Sequence, residues 1–168
     1  MKTKLFKILK FIGITIFLLG FAGWILKEIY LTPDYVLQPP LKGELIEMEL
    51  EHDGHTRTYQ AYVPKRLKPN IDLVFVLHGS QSTGVQIRQQ MAYEFDLLSE
   101  SGGAIIVYPD GFEQHWNDCR KSGKYSANTQ NIDDIGFFKK IEAILVEKYH
   151  IKVAHIFATG LSFARPAP

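Results

Sequence analysis

Cysteine is nearly absent from this chain of 168 residues, with Cys119 as the single example. One thiol excludes an internal disulfide framework and any cysteine-based zinc site within the chain. An excess of charge of one sign is missing too. Nineteen Lys and Arg stand against 18 Asp and Glu, a formal net charge of +1. Four of the basic residues (Lys2, Lys4, Lys7 and Lys10) fall near the N-terminus, so the rest is slightly acidic and gives no reason to expect a nucleic-acid partner. No repeat with a period of roughly 20–50 residues is present, and no low-complexity tract, which removes solenoids and arrays. The last absence lies near the end: after Ser162 the sequence contains no Asp and no His. What is there, 46% hydrophobic and 22% charged residues, is ordinary composition for one globular domain.

The N-terminal residues form the first distinct region. The basic cluster Lys2–Lys10 precedes an apolar run from Phe11 to Leu26 that Lys27-Glu28 ends. A run of this length lies between a signal-peptide core and a full membrane span. Gly20-Phe21-Ala22 offers a small-x-small cleavage pattern, but Gly23-Trp24-Ile25-Leu26 continues the apolar run beyond it. With no polar face for a soluble helix, and with Trp24 and Tyr30 suited to a membrane interface, residues 1–30 read as a signal anchor ahead of a cleaved signal peptide. The basic flank then places the remainder outside the cytoplasm, secreted or membrane-anchored. Residues 31–42, with Pro33, Pro39 and Pro40, read as an extended linker.

From residue 43 the pattern is that of an α/β domain. Leu/Met and Glu alternate from Glu44 to Glu51, Asp53-Gly54 is a strong hairpin signal, and alternation resumes from His55 to Val63. The apolar runs Leu73–Leu77, Ala104–Tyr108 and Lys152–Thr159 predict three strands buried on both faces of a largely parallel sheet. Between them, Val85–Glu100 predicts one helix with Ile87, Met91, Phe95 and Leu98 on its inner face, stopped at Gly102-Gly103. Asp133-Asp134 caps a second helix whose inner set is Ile135, Phe138, Ile141 and Leu145. Residues 112–131 are polar, aperiodic and long for a connection, a length that often signals function. Strands alternating with helices argue for a doubly wound sheet with an antiparallel start.

The residues that could carry chemistry cluster at strand ends. Gly160-Leu161-Ser162 follows the last strand, as a nucleophile elbow does when serine must sit on a sharp strand-to-helix turn. In G-x-S-x-G the final Gly is replaced here by Ala164. A serine hydroxyl needs an adjacent base and an exposed turn to attack a carbonyl, so Ser162 is the candidate nucleophile; its plain alternative is a capping serine at an ordinary junction. His78-Gly79-Ser80 follows the first buried strand, where a loop can lend N–H groups to an oxyanion. The donor lies in Ser80 or Gln81, and the second is the N–H of Phe163. Trp116-Asn117 in the long loop suits an apolar acyl or polymeric ligand as well as a loop anchored by a buried indole. Asp110, in Pro109-Asp110-Gly111, reads as a turn residue and Asp133-Asp134 as helix-capping carboxylates.

Taken in order, Arg57-Thr58-Tyr59 to Pro64, Leu77-His78-Gly79-Ser80, Val107-Tyr108-Pro109-Asp110-Gly111, Trp116-Asn117, Asp133-Asp134-Ile135-Gly136-Phe137 and Gly160-Leu161-Ser162 resemble the polyhydroxybutyrate depolymerase family, itself similar to feruloyl and acetyl-xylan esterases. The likeness spans roughly residues 43–162. It implies the N-terminal part of an α/β-hydrolase fold and an exported serine esterase without metal or cofactor, acting on a polyester or small ester. The elbow in that family normally continues N-G-[GA], whereas Phe163-Ala164-Arg165 stands here.

In such a fold the triad runs Ser, then Asp or Glu, then His, and neither partner follows Ser162. His155 precedes it inside the strand, and His115 sits in the long loop with nothing in the sequence to orient it. The tail at 163–168, with Pro166 and Pro168, does not continue a helix. The expectation is a chain cut short or frameshifted at the elbow, inactive as it stands, with an apolar sheet edge that limits its solubility. The rival expectation is a non-catalytic, membrane-tethered α/β module that binds through the Trp116 loop.

Overall fold

The computed structural model describes residues 2–31, 37–118 and 124–160, and divides the chain into units Met1–Tyr35 and Val36–Pro168. In the first unit, α1 spans Lys2–Tyr30, and its stretch Leu9–Tyr30, with mean hydropathy 2.0, is long and apolar enough to cross a membrane. Phe17, Phe21 and Trp24 stack in turn at helical spacing along it.

The second unit begins with the expected hairpin. Strands β1 (Glu44–His52) and β2 (His55–Val63) pair antiparallel through Asp53-Gly54, at φ 51° and 75°. Two successive left-handed residues give the tight turn whose twist matches the strands it joins. Next come β3 (Asn70–Leu77), α2 (Gly84–Gln90), α3 (Glu94–Gly102), β4 (Ile105–Pro109), the short α4 (Ser126–Thr129), α5 (Asp134–Tyr149) and β5 (Lys152–Gly160). The sheet order is β1-β2-β4-β3-β5, with β2 antiparallel to β4 and β3 parallel to both β4 and β5.

Alternation in the central strands builds two cores. Ile105 and Val107 pack with Leu73, Phe75, Tyr59 and Ala61 against Phe137, Ile141 and Leu145 of α5. Ile106 and Tyr108, one residue out of phase, pack with Tyr62 and Val76 against Ile87 of α2 and, at the margin, Met91 and Phe95. Side chains of successive strand residues point to opposite faces, so a strand covered on both sides is apolar throughout.

Four sequence expectations need correction. The helix expected over Val85–Glu100 is two, broken where Ala92 and Tyr93 take φ 51° and 61°; the break re-aims α3, and Leu98 is exposed. Gly103 does stop it, as a left-handed cap whose N–H bonds the Ser99 carbonyl. In α5 the inner face carries Asp134, Phe137, Ile141 and Leu145, while Ile135 is 63% exposed. Lastly β5 is an edge strand rather than a buried one: past Val153 its residues are exposed, with Ile156 at 50% and Phe157 at 52%. Among the described residues it has one strand neighbour, β3, so its apolar composition is not matched by cover.

Candidate active site

At the C-terminal end of β3 the chain turns through His78-Gly79-Ser80-Gln81 before Thr83 caps α2 by accepting the Gln86 N–H at 3.2 Å. His78 is buried at 2% exposure, and its Nε2 accepts the Gly111 N–H at 2.8 Å. A ring nitrogen that accepts carries no proton, so the proton is on Nδ1, which donates to the Gly79 carbonyl at 2.7 Å. The His78 carbonyl accepts from the Trp116 indole Nε1 at 2.9 Å, and the two rings lie 4.8 Å apart. Gln81, at φ 59°, donates its N–H to the Gln114 carbonyl at 3.0 Å. That amide is committed to the Gln114 carbonyl, so lending it to an oxyanion requires exchanging this bond.

Three holds on the 78–81 loop thus come from one segment, residues 111–116. The segment is tightly curled: Phe112 bridges His115, Glu113 and Gln114 have φ of 47° and 65°, and a Cβ on Gly111 would lie 2.6 Å from the His115 carbonyl oxygen. Its two ends are fastened by carboxylates. Asp110 accepts from Gly84 N–H and from the Thr58 hydroxyl, both at 2.7 Å. Asp134 accepts the Asn117 N–H at 2.7 Å on one oxygen and the Arg57 guanidinium at 2.8 Å on the other. Arg57 also donates to the Asp110 carbonyl at 3.0 Å and lies 4.2 Å over the Phe137 ring. Capping falls to Asp133 alone, which accepts the Gly136 N–H at 2.8 Å. The pair read as one capping motif therefore divides into a cap and a buried ion-pair partner.

The last strand delivers the chain to this loop. Gly160 pairs with Leu77, the residue before His78, and a Cβ on Gly160 would stand 2.8 Å from the Leu77 carbonyl oxygen. Glycine at position 160 is required by close approach of the two strands. Ser162 and Phe163 lie outside the described residues. Beside the loop is a cleft of about 410 Å³ lined by Leu77, Trp116, Asn117, Ile132, Asp134 and Phe138, among others.

The other candidates fall in different places. Asn117 spends its side chain on loop closure, donating to Asn131 Oδ1 at 3.1 Å and the Ile132 carbonyl at 3.0 Å. His115 stacks on Tyr125 at 3.8 Å, with Nδ1 2.8 Å from the Glu113 carbonyl. His155 lies on the exposed edge strand, 2.9 Å from Asp72. Among the described residues no three His, Cys, Asp or Glu gather as a metal site. Sequence reasoning missed Arg57 and Asp134 as a pair. The available signal was an arginine at an inward-facing position of a strand, which demands a buried anion somewhere in the fold.

Burial holds the His78 ring below its ordinary titration range, against opposing pulls from the Gly79 carbonyl bond and the Asp110 and Asp134 carboxylates, while His115 adds to the depression. The folded ring thus resists a proton that the unfolded chain accepts at about pH 6.5. Its contribution to stability is full above that value and declines as pH falls through it. Urea unfolding at pH 7.5 and 5.0 is expected to show less acid loss for His78→Gln, whose amide oxygen can accept the Gly111 N–H without titrating, than for the wild type.

No family model matches the chain. Over 109 residues, 65% of its length, it is 26% identical to a bifunctional acetylxylan esterase/xylanase from Neocallimastix patriciarum, of which it covers 15%. In structure it is similar to an acetyl xylan esterase from Aspergillus awamori (TM-score 0.51, 20% identity, covering 70% of this chain and 42% of that one). It is also similar to an S-formylglutathione hydrolase from Agrobacterium tumefaciens (TM-score 0.55, 13% identity, 73% and 50%) and to a thermostable esterase (TM-score 0.52, 19% identity, 70% and 34%). The chain spans half or less of the length of each of these proteins. The five-stranded mixed sheet with its antiparallel hairpin, parallel strands and flanking helices is the α/β fold that the chain shares with these structures.

Proposed function

We propose that this chain carries the nucleophile and oxyanion side of a serine carboxylic-ester hydrolase. The observation that carries the reading is the pairing of Gly160 with Leu77, which brings the strand before Ser162 alongside the strand before the His78 loop. Covalent geometry keeps the Ser162 Cα within about 7 Å of that of Gly160. In the proposed reaction the Ser162 Oγ bonds to the ester carbonyl carbon, the carbon–alkoxide bond breaks, and the serine proton leaves with the alcohol. Water then cleaves the acyl-serine to a carboxylic acid and restores the hydroxyl. Negative charge on the carbonyl oxygen is met by backbone N–H groups of the Ser80-Gln81 turn and of Phe163, and such donors each contribute roughly 100- to 1,000-fold.

The ester is of the polyhydroxybutyrate-depolymerase or acetyl-xylan and feruloyl type, and the similarity to acetylxylan esterases supports the carbohydrate-ester branch. The apolar α1 supports a tether that places residues 43–162 outside the cytoplasm, joined through residues 31–42.

Incubation of the full chain with a fluorophosphonate, followed by peptide mass spectrometry, tests this. An adduct at Ser162, lost in Ser162→Ala, is the expected result. Absence of any adduct, or equal labelling of the alanine variant, overturns it in favour of a non-catalytic module.

A further inference from the structure

Apart from the His78 bond to the Gly79 carbonyl, the loop that would shape the oxyanion site is held from outside. Its ring, its carbonyl and its Gln81 amide are fixed by Gly111, Trp116 and Gln114, and that segment is short of regular structure. From the far side Trp116 packs edge-on to Phe138 at 5.6 Å, the Asn117 side chain is tied to Asn131 and Ile132, and the Asn117 backbone amide is captured by Asp134 at the first turn of α5. Asp134 is itself 9% exposed and locked by Arg57, which is 3% exposed and reaches back to the Asp110 carbonyl. One carboxylate therefore ties β2, the loop after β4 and α5 together at the point from which the indole reaches the His78 carbonyl.

We propose that Asp134 is a positioning residue for the His78–Gln81 loop, acting through the Asn117 amide and the Trp116 indole without touching the substrate. Its catalytic consequence rests on the reading of Ser162 as nucleophile; its geometric consequence does not. Releasing the Asn117 amide frees the Trp116 side chain to tilt, and the His78 carbonyl loses its donor. A shift of about 1 Å in groups that must meet a reacting atom costs on the order of 100-fold in rate.

The chain has two tryptophans, Trp24 and Trp116, so in a Trp24→Phe background emission reports Trp116 alone. In that background Asp134→Ala is expected to raise acrylamide quenching of Trp116 and to slow fluorophosphonate labelling of Ser162 by roughly 10- to 100-fold. Asp134→Asn, whose side-chain carbonyl can still accept the Asn117 N–H, is expected to restore most of the quenching protection although it gives up the charge facing Arg57. Trp116→Phe, which keeps the ring and removes the donor, is expected to slow labelling with the circular dichroism spectrum unchanged. If Asp134→Ala does not fold, Asp134→Asn and Trp116→Phe carry the test. Quenching as strong in Asp134→Asn as in a denatured control, or wild-type labelling in Trp116→Phe, overturns the proposal. Failure of the parent chain to label at all defeats the nucleophile reading instead, and the quenching of Asp134→Ala and Asp134→Asn then decides the positioning role.

Discussion

Asp96→Ala is expected to remove about 3–5 kcal/mol, a large share of the roughly 5–15 kcal/mol by which a domain is stable. Asp96 is completely buried; one carboxylate oxygen accepts from Arg88 Nε and the other from the Tyr108 hydroxyl, both at 2.7 Å. Burial pushes its carboxyl above the usual range, opposed by the Tyr108 hydroxyl and Arg88. The same arrangement drives the Tyr108 phenol far up, chiefly by burial and then by the neighbouring carboxylate, so it stays a donor at every working pH.

Truncating Asp96 leaves a buried guanidinium without its anion and a buried hydroxyl without its acceptor, and both losses are uncompensated. The loss falls where α2, α3 and β4 meet, at the break between the helices where Arg88 also lies 4.9 Å over the Tyr93 ring. Urea denaturation followed by circular dichroism measures it. The triple variant Arg88→Met/Asp96→Leu/Tyr108→Phe removes every partner together and is expected to be less destabilised than Asp96→Ala alone. If Asp96→Ala costs under about 1 kcal/mol, the range of an ordinary exposed ion pair, the triad is not structural in the way described.

Gly84→Ala is expected to cost at least the roughly 1–3 kcal/mol of an overpacked core. Its backbone needs no special conformation; the constraint is space. A Cβ there would sit 2.4 Å from the Tyr108 carbonyl oxygen and 3.0 Å from its carbonyl carbon, atoms of a central strand that cannot step aside. The start of α2 must lift from β4, and two bonds go with it: the Gly84 N–H to Asp110 at 2.7 Å and the alignment of Asp110 with Thr58. Because Asp110 anchors the segment that holds His78, the melting temperature is expected to fall, as thermal unfolding followed by circular dichroism measures. A Gly84→Ala domain with the parent melting temperature would show that α2 rides more loosely on the sheet than the packing indicates.

Both positions show where sequence patterns stop being informative. Asp96 lies within a stretch that reads as one amphipathic helix, with a charged residue on what looks like a wet flank. The break at Ala92-Tyr93 rotates α3 so that Asp96 turns inward and Leu98 outward. The same kind of rotation puts Phe137 in the core in place of Ile135, because Asp134 has to reach Arg57 from the first turn of α5. Periodicity records which residues are apolar, and it carries no phase information once a helix breaks or a buried charge must be met.

Local chemistry by itself determined the elements set by one or two neighbouring residues: the Asp53-Gly54 hairpin, the apolar β3 and β4, the Gly103 stop, the Asp133 cap and the apolar N-terminal helix. The short-range sterics of turns and the period of side-chain direction are properties of the chain alone. Tertiary structure decided which carboxylate pairs with which cation and which amide of the His78 loop is already committed. Those outcomes depend on which residues the fold brings together, whether 8 positions apart as Arg88 and Asp96 are or 77 apart as Arg57 and Asp134 are. A buried charge specifies that it needs a partner, and only the packed fold specifies which one.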